Sequence, residues 1–193
     1  MTSPALHHAL TDPGDPPLRP LPDEVCDLLT ALDAPPRLAA HLRAVHDVAW
    51  SLTAALSPHL PFDRAAVLYG AATHDIGKTV HVNELSGPGS AHERAGHELL
   101  LQRGVGPALA RFARTHASWT LPDITIEDLL VSVADKIWKG KRVVDLEQKV
   151  VDHLVRATDQ EPWQAFLTLD DVLSGLAANA DDRLAFQARH PAA

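Results

Sequence analysis

Residues 71–78 of the chain read AATHDIGK and follow directly on an apolar stretch that begins at Ala65. The adjacent His74 and Asp75 offer one ion an imidazole nitrogen and a carboxylate oxygen. Gly77 is typical of a helix end, so the pair is expected in the last turn of a helix, where both side chains can turn toward one point. A His-Asp pair also occurs by chance on surfaces, so its meaning depends on its surroundings.

Composition favours one helical domain in the cytoplasm. The 193 residues are 46% hydrophobic but only 5% aromatic, a balance typical of helices packed through small and unbranched side chains. The formal net charge of -8 argues against extended nucleic acid as a partner. Cys26 is the single cysteine, which excludes a thiolate metal site and suits the reducing cytosol. The sequence shows neither a signal peptide nor an apolar run of about 20 residues, so we expect neither export nor membrane insertion.

The chain divides into an arm and one all-α domain. Residues 1–22 hold six prolines and predict an irregular N-terminal arm. Residues 23–193 show helical apolar periodicity without the alternation of strands, which predicts a single-domain helical bundle. Ser90 and Glu93 predict a capping box at the start of a helix. This helix is expected to begin at Ala91 and to continue toward Gly104. The other helices are expected over residues 23–32, 36–56, 63–75, 107–117, 125–139, 143–157 and 162–178.

Further His and Asp residues fall on these apolar helices. Asp135 lies within the apolar run 129–135, and a carboxylate is costly to bury there unless it is paired or bound to a metal. Helical bundles build metal sites in this way, with about one ligand from each helix. The candidates are His41, His46, His74, Asp75, His92, His116 and Asp135.

The order of these residues resembles the HD superfamily of metal-dependent phosphohydrolases. The resemblance covers about residues 36–145 and leaves the C-terminal helices, residues 146–180, without a counterpart. Three segments match the family's motifs, namely His41 to Val45, His74 to Lys78, and Ala134 to Lys136.

Two further histidines resemble those of the two-metal branch of that superfamily, which includes bacterial enzymes that cut diadenosine tetraphosphate symmetrically. The segment 134–142 is similar to the closing motif of that branch. The resemblance implies an all-α bundle of the HD type with two divalent transition metal ions, one of them bridged to the other by Asp75. The implied ligands are His41, His74, Asp75 and Asp135 for one ion, with His92 and His116 for the second.

Two points stay open at the level of the sequence. His41 and His46 lie five residues apart and so about 140° apart around a helix, which means that only one can face the metal. The family pattern favours His41, with His46 as the alternative first ligand. Imidazole and carboxylate ligands without thiolate suit iron, manganese, zinc or nickel, and the pattern does not distinguish among them.

These residues predict hydrolysis of a phosphate ester or anhydride in a nucleotide or another small phosphorylated metabolite. Asp75 and Lys78 are the expected catalytic residues. Alternatives are a dinucleoside tetraphosphate hydrolase and a catalytically silent module that binds metal or nucleotide. Trp119 and Trp138 are interpreted as core anchors or as platforms for a base, and the sequence does not indicate an oligomeric state. The expected phosphate-contacting residues are Lys78, Arg94, Lys139 and Arg142.

Overall fold

The central helix of the bundle is α3 (Pro36–Leu56), which begins directly after Pro35 and is buried along most of its length. The computed structural model describes residues 3–192, and within that range the chain forms helices and turns without a strand. Apart from α3, the α-helices are α1 (Pro4–Thr11), α2 (Asp23–Ala31), α4 (Arg64–Thr73), α5 (Ala91–Gln102), α6 (Pro107–Ala110), α7 (Phe112–Thr115), α8 (Ile126–Ile137), α9 (Val144–Thr158), α10 (Pro162–Ala177) and α11 (Ala180–Ala188).

Two apolar cores meet along α3. Leu52 and Leu56 pack into the larger core with α4, α8, α9 and α10. Leu38 and Leu42 pack into the smaller core with α1, α2 and α5. The all-α fold expected from the periodicity is confirmed, and within residues 3–192 no helix is both long and apolar enough to cross a membrane.

The prediction of an irregular arm over residues 1–22 is wrong for residues 4–11, which form α1. Pro4 stands at the first helical position, where a missing N–H costs nothing, and the next proline comes after the helix ends. Leu6 and Leu10 are buried against the rest of the bundle. The buried Arg43 guanidinium donates to the carbonyl oxygens of Ala9 (2.9 Å) and Asp12 (2.7 Å), so the arm is tied to α3. Met1 and Thr2 lie outside the described residues.

Gly77 has a different role from the expected helix stop. Helix α4 ends at Thr73, and Gly77 lies in the 3-10 turn Ile76–Thr79 that follows. A Cβ atom at Gly77 would overlap the carbonyl oxygen of His92 in α5. The missing side chain therefore lets the turn pack directly against the first turn of α5.

Two features of the C-terminal half and of α5 also differ from expectation. Helix α11 was not predicted, because its nine residues include several polar ones and show little apolar periodicity.

Ser90 makes no capping hydrogen bond to α5. The carboxylate of Glu84 accepts hydrogen bonds from the backbone N–H groups of Ala91 and His92 instead, each at 3.1 Å. The expected start of α5 at Ala91 is correct, but the cap comes from another residue.

Candidate metal centre

Three helices bring the first group of candidate ligands together, here called the first cluster: His41, His74 and Asp135. His41 lies within α3, His74 directly follows α4, and Asp135 lies in α8, all of them buried. The two Nε2 atoms of His41 and His74 are 3.3 Å apart, and His74 Nε2 is 3.3 Å from Asp135 Oδ1. One ligand atom from each of the three residues lies within 4.8 Å of the others, which is close enough to hold one ion.

A second cluster, formed by Asp75, His92 and His116, lies beside the first. His92 stands in the first turn of α5, and His116 directly follows α7. Asp75 Oδ1 is 3.1 Å from His92 Nε2 and 3.5 Å from His116 Nε2. These ligand atoms also lie within 4.8 Å of one another, and the three residues are buried.

Asp75 faces both clusters through different oxygens. Its Oδ2 atom is 3.1 Å from His41 Nε2 in the first cluster, whereas Oδ1 faces the histidines of the second. This position follows from the chain direction after α4, where His74 caps the end of the helix and Asp75 directly precedes the 3-10 turn. Consecutive residues thereby serve neighbouring clusters, and one carboxylate spans them.

Hydrogen bonds on the far side of three imidazole rings orient their Nε2 atoms toward the clusters. His74 Nδ1 is 2.9 Å from the carbonyl oxygen of Ala71, and His116 Nδ1 is 3.1 Å from that of Ala113. A carbonyl only accepts, so each Nδ1 carries the proton and each Nε2 presents a lone pair. This arrangement is typical of metal-binding histidines.

Glu84 orients the third ring and was missed by sequence reasoning. Its Oε2 atom is 2.5 Å from His92 Nδ1, and the same carboxylate caps the N-terminus of α5. A carboxylate behind a metal-binding histidine fixes the ring and makes it a stronger ligand. Glu84 lies in a 3-10 turn (Val82–Leu85) outside any periodic pattern, so nothing in the sequence connects it to His92.

Charge states in the clusters suit metal binding. Burial raises the pKa of Asp75, but the nearby imidazoles of His74, His41 and His92 lower it by more, so the carboxyl is ionised well below neutral pH. Burial lowers the pKa of His116 to about 4, so its ring is neutral at pH 7. For His92, burial lowers the pKa, but Asp75 and Glu84 raise it by more. A proton and a cation therefore compete for His92 Nε2.

The atoms between the clusters fit divalent ions. Asp75 Oδ1 and His92 Nε2 are buried without a hydrogen-bond partner among the described residues, although they lie 3.1 Å apart. An unsatisfied buried carboxylate oxygen is costly unless a cation or donor compensates it. Nitrogen and oxygen ligands without thiolate are the set that manganese, iron, nickel and zinc accept.

Comparison with known protein families agrees with this geometry. A family model described as HD domain matches residues 38–138, which is more than half of the chain. The chain belongs to the HD domain family. Neither a curated protein nor a solved structure matches it. The matched range contains both clusters, whereas α1, α2, α9, α10 and α11 lie outside it.

The HD domain opens to solvent through a cavity of about 470 Å³ that is lined by residues of both clusters. Lys78 and Lys136 also line it, each paired with a cluster carboxylate. Lys78 Nζ is 2.5 Å from Asp75 Oδ2, and Lys136 Nζ is 2.6 Å from Asp135 Oδ2. Lys139 lines the cavity as expected from the sequence, so three lysines surround the clusters.

Three residues of the sequence-based site lie away from the cavity. His46 is buried in another groove with Trp50 and Tyr69, where burial lowers its pKa to about 4, so His41 is the histidine of α3 that faces the clusters. The Arg94 side chain is 84% exposed and pairs with Glu98, because position 94 faces away from the cavity on α5.

Arg142 is the third of these residues. Its guanidinium pairs with Glu147 at 2.8 Å and with Asp170 at 2.7 Å, so it joins α9 to α10 instead of facing the cavity. Trp138 does line the cavity, and its ring meets that of His41 edge-on with the centroids 4.8 Å apart. Trp119 lies outside the cavity wall, under the ammonium group of Lys136.

Proposed function

We propose that this HD-domain protein is a metal-dependent phosphohydrolase that cleaves a phosphate ester or anhydride bond in a nucleotide or another small phosphorylated metabolite. The observation that carries the proposal is the position of Asp75, whose two oxygens face two different clusters of buried ligands. A carboxylate in that position could be shared by two divalent ions, and pairs of ions are used by phosphatases and nucleases.

Six residues would hold the ions in this proposal. Two divalent ions bound there would supply a water of lowered pKa as the nucleophile and would draw the phosphoryl oxygens toward them. Ions with a combined charge of +4 would exceed the two carboxylates of the clusters, so the centre would attract an anion despite the net charge of -8 on the chain. The ligands are His41, His74 and Asp135 for one ion, and His92, His116 and Asp75 for the other, with Asp75 shared.

Lysines of the cavity would bind the phosphate. Lys78 and Lys136 are held beside the clusters by Asp75 and Asp135, and each ammonium keeps further donors free because it has three. The lysines balance the charges of Asp75, Asp135 and Glu93, the carboxylates that line the cavity. Bound cations would therefore set the sign of the cavity's potential. Lys78 is proposed as the catalytic lysine because it contacts the bridging carboxylate.

A dinucleoside tetraphosphate is the more specific candidate substrate that the motif pattern of residues 134–142 favours. Arg142 of that segment pairs with Glu147 and Asp170 and does not face the cavity. Lys136 and Lys139 of the same segment line the cavity and are available to a chain of phosphates.

The test is a substrate panel assayed with the manganese-loaded protein. Nucleoside mono-, di- and triphosphates, diadenosine tetraphosphate and sugar phosphates are incubated in parallel, and the released phosphate and nucleotides are quantified. Hydrolysis of at least one of them that is lost in Asp75→Asn supports the proposal. Stoichiometric metal binding with no hydrolysis of any phosphate ester or anhydride would instead identify a binding module that does not turn over.

A further inference from the structure

Helix α11 contributes a wall to the metal cavity, although it lies outside the range that matches the HD family. Leu184 and Gln187 both line the cavity. They are three residues apart and so lie on one face of the helix. Leu184 is 37% exposed and Gln187 is half-buried, so both side chains can be reached by a ligand.

A buried arginine fixes this wall relative to the clusters. Arg183 Nε donates to the carbonyl oxygen of Trp138 at 2.7 Å, and its Nη2 donates to that of Leu176 at 2.5 Å. These carbonyls end α8 and α10, where helices leave acceptors without partners. Trp138 in turn contacts the ring of His41. The wall, the end of α8 and the first cluster thus form one connected structure.

The residues that α11 adds to the cavity differ in chemistry from the rest of its lining. The charged side chains of the cavity belong to the clusters and to Lys78, Glu93, Lys136 and Lys139, whereas α11 contributes only neutral groups. Gln187 provides the one carboxamide among the described residues that line the cavity. A carboxamide both donates and accepts hydrogen bonds, and Leu184 adds an apolar surface. Leu184 and Gln187 themselves offer no counter-charge to a second phosphate, so the ligand group that suits them is a neutral one.

We propose that the α11 wall binds the nucleobase of a substrate whose phosphate lies at the clusters, with Gln187 hydrogen-bonded to the edge of the base and Leu184 packed on its face. A glutamine amide matches the paired donor and acceptor on a base edge, as it does with adenine in DNA recognition. This inference rests on the proposed function and makes it narrower, because the substrate becomes a nucleotide and not a sugar phosphate.

The test compares ligands that differ only in the base. Binding of the four common ribonucleoside 5′-monophosphates and of ribose 5-phosphate to the manganese-loaded protein is measured by calorimetry. If the protein hydrolyses both a mononucleotide and ribose 5-phosphate, the ratio of their kcat/KM values gives the same comparison. The variants are Gln187→Leu and Leu184→Ala. Gln102→Leu makes the same chemical change on an exposed position of α5 and serves as the matched control.

We expect the wild type to bind at least one mononucleotide about tenfold more tightly than ribose 5-phosphate. Gln187→Leu should reduce that preference by roughly threefold to tenfold, the effect of one lost hydrogen bond, without changing the affinity for ribose 5-phosphate. Leu184→Ala should reduce it as well, and Gln102→Leu should not. Equal binding of both ligands by the wild type, or a preference that survives in both variants, would overturn the assignment of the wall.

The same measurements separate this inference from the proposed function. Efficient hydrolysis of ribose 5-phosphate with no preference for a base would keep the hydrolase and reject the wall. A preference for a base that depends on Gln187, in a protein that hydrolyses none of the ligands, would keep the wall and reject the hydrolase.

Discussion

The two ligand clusters of this HD domain are supported by different kinds of structure. His41, His74 and Asp135 belong to long helices or to their last turn, and those helices pack into the main cores. His92 and His116 stand at helix ends, and His92 is oriented by Glu84 from a separate 3-10 turn. Changes near the first cluster should therefore affect folding and metal together, whereas changes near the second should affect metal binding with little effect on folding.

The largest effect is expected at the residue that the two clusters share. Asp75→Asn keeps the size of the side chain but removes the charge that faces both clusters, so metal binding should fall at both. Hydrolysis should fall by roughly a thousandfold, since metal ions contribute several kcal/mol of transition-state stabilisation. Asp47→Asn removes an aspartate of α3 that pairs with Arg19 and serves as the control. Activity of Asp75→Asn within tenfold of the wild type would contradict the bridging role.

Glu84→Gln should separate the second cluster from the first. The amide can no longer hold His92 Nδ1 as a carboxylate does, so the affinity of one ion should fall by about 10- to 100-fold while the other is retained. Two-phase metal titration by calorimetry gives the readout, and the melting temperature shows whether folding is unchanged. Glu98→Gln alters an exposed glutamate of α5 as the matched control. An equal loss of both ions would show that the clusters are not supported independently.

Gly77→Ala tests the contact that brings α5 to the 3-10 turn. The added methyl group would overlap the His92 carbonyl oxygen, so we expect a loss of about 1–3 kcal/mol in the free energy of unfolding, measured in urea. Gly175→Ala is the control, because it lies within α10 with open space around its Cβ position. That substitution should stabilise the protein by about 0.5–1 kcal/mol. If both variants unfold alike, the close approach at Gly77 does not matter for stability.

The smallest effect is expected at Arg94. Its side chain lies in solvent and pairs with Glu98, and an exposed ion pair of this kind contributes little to stability because water and salt screen it. Arg94→Ala should therefore leave KM for the phosphorylated substrate unchanged within twofold, whereas Lys78→Ala should raise it. A rise in KM for Arg94→Ala as large as that for Lys78→Ala would return Arg94 to the site.

The same contrast explains how much could be predicted from the sequence. The helices that hold the first cluster are rich in apolar residues, so α3, α4 and α8 and their His and Asp residues could be located from the sequence alone. Glu84 lies in a turn that has no apolar periodicity, so its contact with His92 could not be predicted. Helix α1 was not predicted because the many prolines of residues 1–22 are typical of an irregular segment. Arg94 was assigned because it lies near a helix N-terminus, and Arg142 because it lies close in sequence to Asp135. Helix geometry directs Arg94 away from the cavity, and carboxylate partners hold Arg142 away from it.

The most direct test of the central claim is the metal content of the protein purified without an affinity tag and reconstituted with manganese. Elemental analysis should give about two ions per chain for the wild type, one for each cluster. His116→Ala, which removes a ligand of the second cluster only, should retain about one. A wild-type content near zero would contradict the account, and so would a His116→Ala content equal to that of the wild type.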